Sequence, residues 1–583
     1  MIKALEHHTK PARYGAVLKE KATGETYTPK ALSDFVAQNI VETLIDFPTG
    51  RPLRILDPAM GDGELLISLL KQLLYRCPEL EIEVYGFEPN QDALNIAATR
   101  VQQTFPNATT HFKKKDFLEF VIEQFGLIDN ELLLILNPPD TYDLIIANPP
   151  YVRTQIMGAD QAKLLAKQFK LSGRVDLYYA FIIAISQVLK PEGIAGIIVS
   201  NRFMTTRSGA SIRRSLLERY NLHSVWDLGD TKLFDAAVLP AIIVAEGRKN
   251  QQNSLPIFTS IYETDSSAKI EVSTPIQALA HHGVVQVKDG RKFLVQHGNL
   301  NTNGSLDGVW SISTKTTNEW LAIVDSHTYG TFGDIGKIRV GVKTCADKVF
   351  IRSDWHNLPP VEYPELLRPL TTHHIARRFK ALELKSPKYI LYPHENVQGC
   401  RRAVNLSAYP CSRNYLEKNR VVLESRTYLM EAGREWYEIW VSQDPDAWNQ
   451  PKLIFRDIAN EPTFWLDQSG SIVNGDCYWI TCQKPEQLDL LWLAMAVANS
   501  SFIERFYDTS FNNKLYAGRR RYITQYVEKF PLPNPEQALS KAIIAKAKEV
   551  YECIPSPKSD ILQIELENMI WNAFGLVAEE VTG

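Results

Sequence analysis

A chain of 583 residues is longer than one hydrophobic core ordinarily serves, so at least two domains are expected. Its composition, 45% hydrophobic, 22% charged and 10% aromatic, is that of an ordinary globular protein and excludes a disordered, collagenous or coiled-coil chain. A net charge of −3 excludes a polybasic coat for nucleic acid but is compatible with one locally positive surface.

The first eleven residues are polar and lack the apolar core of a secretory signal. The longest apolar runs, such as 181–185, stop well short of the roughly 18 residues that a membrane helix needs. A cytoplasmic protein is therefore expected. Seven scattered cysteines, an odd number without Cys-x-x-Cys spacing, suggest neither a disulfide framework nor a metal site.

In chain order, Thr28-Pro29 opens a predicted helix over 30–44 with Leu32, Phe35, Val36, Ile40 and Leu44 on one face. Thr at N-cap and Pro at N1 explain this start structurally, and the helix N-terminus also suits a ligand carboxylate. From 51 to 246, strand-like runs at 53–56, 83–87, 142–147, 194–199 and 241–246 alternate with amphipathic helical stretches. That alternation predicts an α/β fold with a doubly wound, Rossmann-like sheet. Residues 251–300 are polar and mixed and are expected to form a linker or excursion, which gives a catalytic domain over 1–250 and a C-terminal domain over 301–583. The latter has short Val-, Ile-, Tyr- and Trp-rich segments punctuated by Pro, Gly and Asn, the texture of an α+β domain with a helical tail from 535 to 581.

Within the first domain, the strand ending at Asp57 runs into Pro58-Ala59-Met60-Gly61-Asp62-Gly63 and then an apolar helix. Glycines at such a turn let a ligand approach the backbone closely. The spacing departs from the dinucleotide G-x-G-x-x-G, and an acidic Asp57 would repel a pyrophosphate. The turn suits instead the amino-acid portion of S-adenosyl-L-methionine, which carries an ammonium and no phosphate. Glu88, at the end of the second strand, is placed to accept from both ribose hydroxyls. Asp116 can accept from the cofactor's adenine N6, with Phe117 against the ring. Each acid alone is an ordinary loop charge; their recurrence at successive strand ends is what points to a ligand.

The strand 143–147 delivers Asn148-Pro149-Pro150-Tyr151. An aromatic amine whose lone pair is delocalised into its ring needs acceptors more than a strong base. The Asn148 side-chain oxygen and the Pro149 carbonyl provide two, on a backbone stiffened by Pro150, and Tyr151 offers a face for an extruded base. A second copy, Asn137-Pro138-Pro139-Asp140, lacks the aromatic residue and reads as a strand stop.

These segments, in this order, resemble the gamma class of adenine-N6 DNA methyltransferases, the Taq type found in type II restriction-modification systems. The resemblance runs from Tyr27 to about Glu246 and more loosely to Pro533. It implies S-adenosyl-L-methionine as cofactor without a metal, held by Tyr27, Thr28, Pro29, Asp57, Pro58, Ala59, Gly61, Gly63, Glu88, Asp116, Phe117, Asn148, Pro149 and Phe181. It makes Asn148 to Tyr151 the catalytic element and Phe234 a second stacking aromatic for a flipped adenine. Leu189 to Gly193 resembles the family's turn into the next strand. Met60 and Asp62 depart from the smaller, less acidic residues often found in the family's glycine loop.

The C-terminal half resembles the specificity domains of the same class in Gly341 to Thr344, Leu367 to Leu370 and Arg521-Tyr522 leading to Pro533. Its basic bursts, including Lys343, Arg377, Arg378, Lys514, Arg519, Arg520 and Arg521, are expected to face double-stranded DNA of a specific sequence. No nuclease-like segment precedes Tyr27, so restriction activity is expected from a companion endonuclease encoded separately, and the enzyme is expected to act as a monomer or weak dimer. Three rivals share the tetrapeptide chemistry or the fold: methylation of protein glutamine or RNA, cytosine-N4 methylation, and a non-catalytic DNA-binding protein.

Overall fold

Strands buried on both faces are near-continuously apolar, and Tyr142–Ala147, here β4, has every residue buried. It lies among parallel strands β1 (Leu53–Asp57), β2 (Ile82–Phe87), β3 (Thr109–Lys113) and β5 (Leu189–Ser200). In the computed structural model the described residues are 28–125, 141–151, 159–171, 176–234, 239–248, 254–482, 484, 487–511, 515 and 519–578. Helices α1 (Lys30–Thr43), α2 (Glu64–Arg76), α3 (Gln91–Thr104), α4 (Phe117–Phe125) and α5 (Leu177–Val188) accompany these strands. The strands β6 (Tyr220–Asp227) and β7 (Pro240–Gly247) complete the order β3-β2-β1-β4-β5-β7-β6, with β7 antiparallel to both neighbours. This is the expected doubly wound sheet.

Side-chain alternation divides the core between two faces. Ile145 and Ala147 of β4 pack with α5, while Leu144 and Ile146 pack with Leu32, Val36 and Ile40 of α1 and with α2. Helix α1 approaches β5 so closely that a Cβ on Gly196 would lie 2.6 Å from Ile40 Cδ1. At the start of β5, Tyr142 pairs with Leu189 and Leu144 with Ile194, so 190–193 loops out. The loop falls within the turn expected from Leu189 to Gly193, of which Leu189 itself is paired.

A linker or excursion is expected over 251–300, but residues 257–301 extend the same sheet. The strand β8 (Ile257–Glu263) pairs parallel with β6, and β9 (Ile270–Val272), β10 (Gly283–Val287), β11 (Lys292–Asn301) and β12 (Ser311–Ser313) follow. The polar stretch near 250 gave a break in texture, but the run from Phe258 to Tyr262 is buried against the sheet. The chain divides into two compact units between Thr314 and Lys315.

The second unit has an α+β texture. One four-stranded sheet joins Arg339–Val340, Cys477–Ile480, Lys452–Arg456 and Phe464–Asp467; another joins Ile351–Arg352, Tyr389–Leu391, Leu367–Thr371 and Ile472–Val473. Helices Leu488–Ala498, Ser501–Phe511, Ala538–Cys553 and Pro557–Ala573 share one apolar cluster with the first of these sheets. No described helix is long and apolar enough to cross a membrane.

Candidate active site

The four parallel strands β3, β2, β1 and β4 end on one edge of the sheet, each with an expected site residue at its end or just beyond it: Asp116, Glu88, Asp57 and Asn148. With neighbouring strands about 4.8 Å apart, the row spans roughly 15 Å. The glycine loop is shaped by its backbone. Gly61 and Gly63 have φ of +49° and +84°, and the Met60 N–H donates to the Phe87 carbonyl at 3.1 Å. A Cβ on Gly61 would meet nothing within 4 Å, so this position faces open space.

Asp57 is fully buried. Its Oδ1 accepts from the Ala59 N–H at 3.0 Å, and its Oδ2 is without a partner among the described residues. Burial pushes its carboxyl up to about 8, helped by the nearby negative charges of Glu88 and Asp62. A buried, half-satisfied acceptor beside an open glycine turn fits the ammonium of an amino-acid ligand. Glu88 shapes the same turn: its carboxylate accepts from the Gly61 N–H at 3.1 Å and from the Asn90 N–H at 2.8 Å. Asp116 caps α4, with Oδ1 accepting from Leu118 at 2.7 Å and Glu119 at 3.2 Å. Phe117 is buried, its ring centroid 5.5 Å from Phe87 and 5.8 Å from Phe181.

The two departures in the glycine loop have structural roles. Met60 is buried over Gly86, where a Cβ would come within 2.2 Å of its sulfur. Asp62 pairs with Arg100 at 2.6 Å, and the same guanidinium reaches Glu64, so the extra charge is neutralised within the unit.

Asn148 is held at both ends of its amide. Its Nδ2 donates to the Thr28 hydroxyl at 2.9 Å, and its Oδ1 accepts from the Tyr151 hydroxyl at 2.8 Å. Pro29, not Thr28, occupies the N-cap of α1, and among the described residues no side chain caps that helix. The Thr28 hydroxyl is thus turned toward Asn148, a role that neither reading of the helix start foresaw. Burial pushes the Tyr151 hydroxyl well above its ordinary value and keeps it a donor.

Phe234 is 6% exposed, with its ring 6.4 Å from Tyr151 at 70°. The two expected stacking aromatics therefore meet, but edge to face; a sandwiched base would need near-parallel rings about 7 Å apart. The chain leading to Phe234 is tied down by residues the sequence reading missed. Asp227, at the end of β6, accepts from the Tyr262 hydroxyl at 2.6 Å and the Asn201 amide at 2.8 Å. Burial raises its carboxyl to about 6. Asp230 accepts from the Glu263 N–H at 2.8 Å, and Arg291 donates to the Thr231 carbonyl at 2.8 Å. Tyr262, Glu263 and Arg291 come from the stretch expected to be a linker. An aromatic-rich run at 258–262 was the available signal. Tyr27, Asn137 and Lys514 lie outside the described residues.

Residues 67–234 match the Eco57I restriction-modification methylase family, and 384–532 match the TaqI-like C-terminal specificity domain. The chain is 39% identical over 579 residues, 96% of its length and 98% of the relative's, to the type II methyltransferase M.BanIII of Aneurinibacillus aneurinilyticus. It belongs to the type II restriction-modification methyltransferases. M.BstVI of Geobacillus stearothermophilus is 26% identical over 83% of this type II methyltransferase and 85% of its own chain. The fold is also similar to that of the type IIL restriction-modification enzyme MmeI, solved in complex with DNA: TM-score 0.57 at 15% identity, covering 98% of this chain and 76% of that one.

The basic residues expected to face DNA in this type II methyltransferase divide into two groups. Lys343, Arg377 and Arg519 are exposed. Arg378 is paired with Glu461 at 3.0 Å, and Arg521 is bidentate on Asp457 at 2.9 and 3.2 Å. Arg520 corrects the expectation. Its side chain is 10% exposed and grips Asp508 at 2.7 and 2.8 Å, Glu504 at 2.8 Å and the Asn460 carbonyl at 2.7 Å. With its donors engaged inside the unit, Arg520 is a structural residue.

Proposed function

We propose that this methyltransferase transfers the methyl group of S-adenosyl-L-methionine to N6 of an adenine extruded from a specific sequence of double-stranded DNA. The observation that carries the reading is the Asn148 amide, oriented by Thr28 so that its oxygen is presented on the Tyr151 side. When bound, the cofactor supplies an electrophilic methyl on a sulfonium. Asp57 Oδ2 would receive its ammonium, Glu88 its ribose hydroxyls, and Asp116 its base.

For the substrate, Asn148 Oδ1 and the Pro149 carbonyl accept the two N6 hydrogens, which draws the nitrogen lone pair out of the ring and aims it at the methyl. Nitrogen gains the methyl as the carbon–sulfur bond breaks, and the extra proton on nitrogen passes to water. An amide oxygen has two lone pairs, so the Tyr151 hydroxyl either shares Oδ1 or leaves it as the ring turns toward the base. Extrusion costs a few kcal/mol, offset by stacking on Tyr151 and Phe234.

Transfer from labelled S-adenosyl-L-methionine to duplex DNA, followed by nucleoside analysis, tests the reading. N6-methyldeoxyadenosine is expected. N4-methyldeoxycytidine, or transfer only to protein or RNA, refutes it. Asn148→Ala should abolish the product and Asn137→Ala should leave it largely intact.

A further inference from the structure

The second unit contains a cavity of about 580 Å³ that the catalytic chemistry does not use. His373, Arg456, Asp457, Glu461, Asp476 and Arg519 are among its lining residues. Most of its charges have partners. Asp457 is held by Arg521, and Glu461 by Arg378. Asp476 Oδ2 accepts from His373 Nδ1 at 2.5 Å.

Two polar atoms remain. Asp476 Oδ1, an acceptor, and Arg456 Nε, a donor, are each buried without a hydrogen-bond partner among the described residues. Unpaired buried groups of opposite character are costly to leave, and a ligand offering the complementary pair would satisfy both. A phosphodiester does not: it has acceptors only, and Asp457, Glu461 and Asp476 would repel it. A single carboxylate or a single cation leaves one of the two atoms unpaired.

We infer that this cavity reads the major-groove edge of one G·C base pair, with Arg456 donating to guanine and Asp476 Oδ1 accepting from cytosine. Guanine presents O6 and N7, two acceptors at the spacing of a guanidinium fork, and its partner cytosine presents the N4 amino group beside them. An A·T pair offers an amino group to the carboxylate, but its thymine gives the fork one acceptor and a methyl. The His373 bond leaves Asp476 Oδ1 as the free oxygen of its carboxylate. Arg456 lies on Lys452–Arg456 and Asp476 next to the paired strand Cys477–Ile480, so both are mounted on sheet backbone and not on a long loop. The inference rests on the reading of the chain as a sequence-specific DNA methyltransferase.

The full-length enzyme, supplied with S-adenosyl-L-methionine and a library of duplexes randomised around the target, should be read by single-molecule sequencing for modified base and context. The wild-type profile should contain a G·C pair at which Asp476→Asn and Arg456→Lys each relax preference by about tenfold or more, at the same position, with the other positions unchanged. Relaxation at different positions, relaxation at an A·T position, unchanged profiles, or a uniform loss over all sequences overturns the inference, as does a wild-type profile without a G·C pair. Absence of DNA methylation by the wild-type enzyme refutes the proposed function instead.

Discussion

At the proposed site one side-chain amide, Asn148, is held by the Thr28 hydroxyl, and one carboxylate, Asp57, is fully buried. Thr28 contacts Asn148 and not a helix end, so Thr28→Val should lower kcat roughly ten- to a hundredfold through misorientation of the acceptor, with little change in KM for the cofactor. Thr28→Ser should restore most of the loss; a variant that raises only the cofactor KM would show that the hydroxyl serves binding. Asp57 makes a different prediction. Its folded value of about 8 lies above the ordinary 3.8, so the protonated carboxyl stabilises the fold at low pH and that stability is lost as pH rises between those values. In the absence of cofactor, the melting temperature of Asp57→Asn relative to wild type should therefore climb from pH 5 to pH 9. The same substitution should weaken cofactor binding about ten- to a hundredfold by calorimetry, because a charge-assisted bond is lost. A pH-independent difference in melting temperature would refute the assignment of the buried charge.

At the scale of elements, the segment between β6 and Phe234 turns at Gly229, with φ of +46°. A Cβ there would lie 2.2 Å from the Ile261 carbonyl of β8, so the turn requires glycine and close contact with the added strands. Gly229→Ala should lower the melting temperature and displace Phe234. A 2-aminopurine placed at the target adenine would then lose most of its fluorescence change on binding, while DNA affinity measured by anisotropy changes less. Equal loss of both signals would mean that the segment supports binding in general and not the stacking of the base.

For the whole molecule, a net charge of −3 means that DNA affinity depends on a few exposed cations. Lys343→Ala or Arg377→Ala should weaken binding across all sequences and reduce the slope of log affinity against log salt by about one each. Arg520→Ala should act on stability, costing about 1–3 kcal/mol in denaturant unfolding because the half-buried acids Asp508 and Glu504 lose their shared partner. A change in salt slope without a change in stability would return Arg520 to the DNA surface.

The sequence by itself determined the strands β1, β2, β4, β5 and β7, because strands buried on both faces must be apolar, and it determined the glycine turn and the Asn-Pro-Pro-Tyr segment, because their chemistry is local. It left β3 unseen, since an edge strand alternates exposed and half-buried residues and carries no apolar run. Only the tertiary structure decided that Asp57, Glu88, Asp116 and Asn148 stand in the spatial order 116, 88, 57, 148, since strand order is a property of pairing between distant segments. It also decided that 257–301 belongs to the catalytic sheet, and that Arg456 keeps a nitrogen without a partner among the described residues while Arg520 is buried in ion pairs. Partners for a charge are chosen across the fold, and a run of residues along the chain carries no record of them.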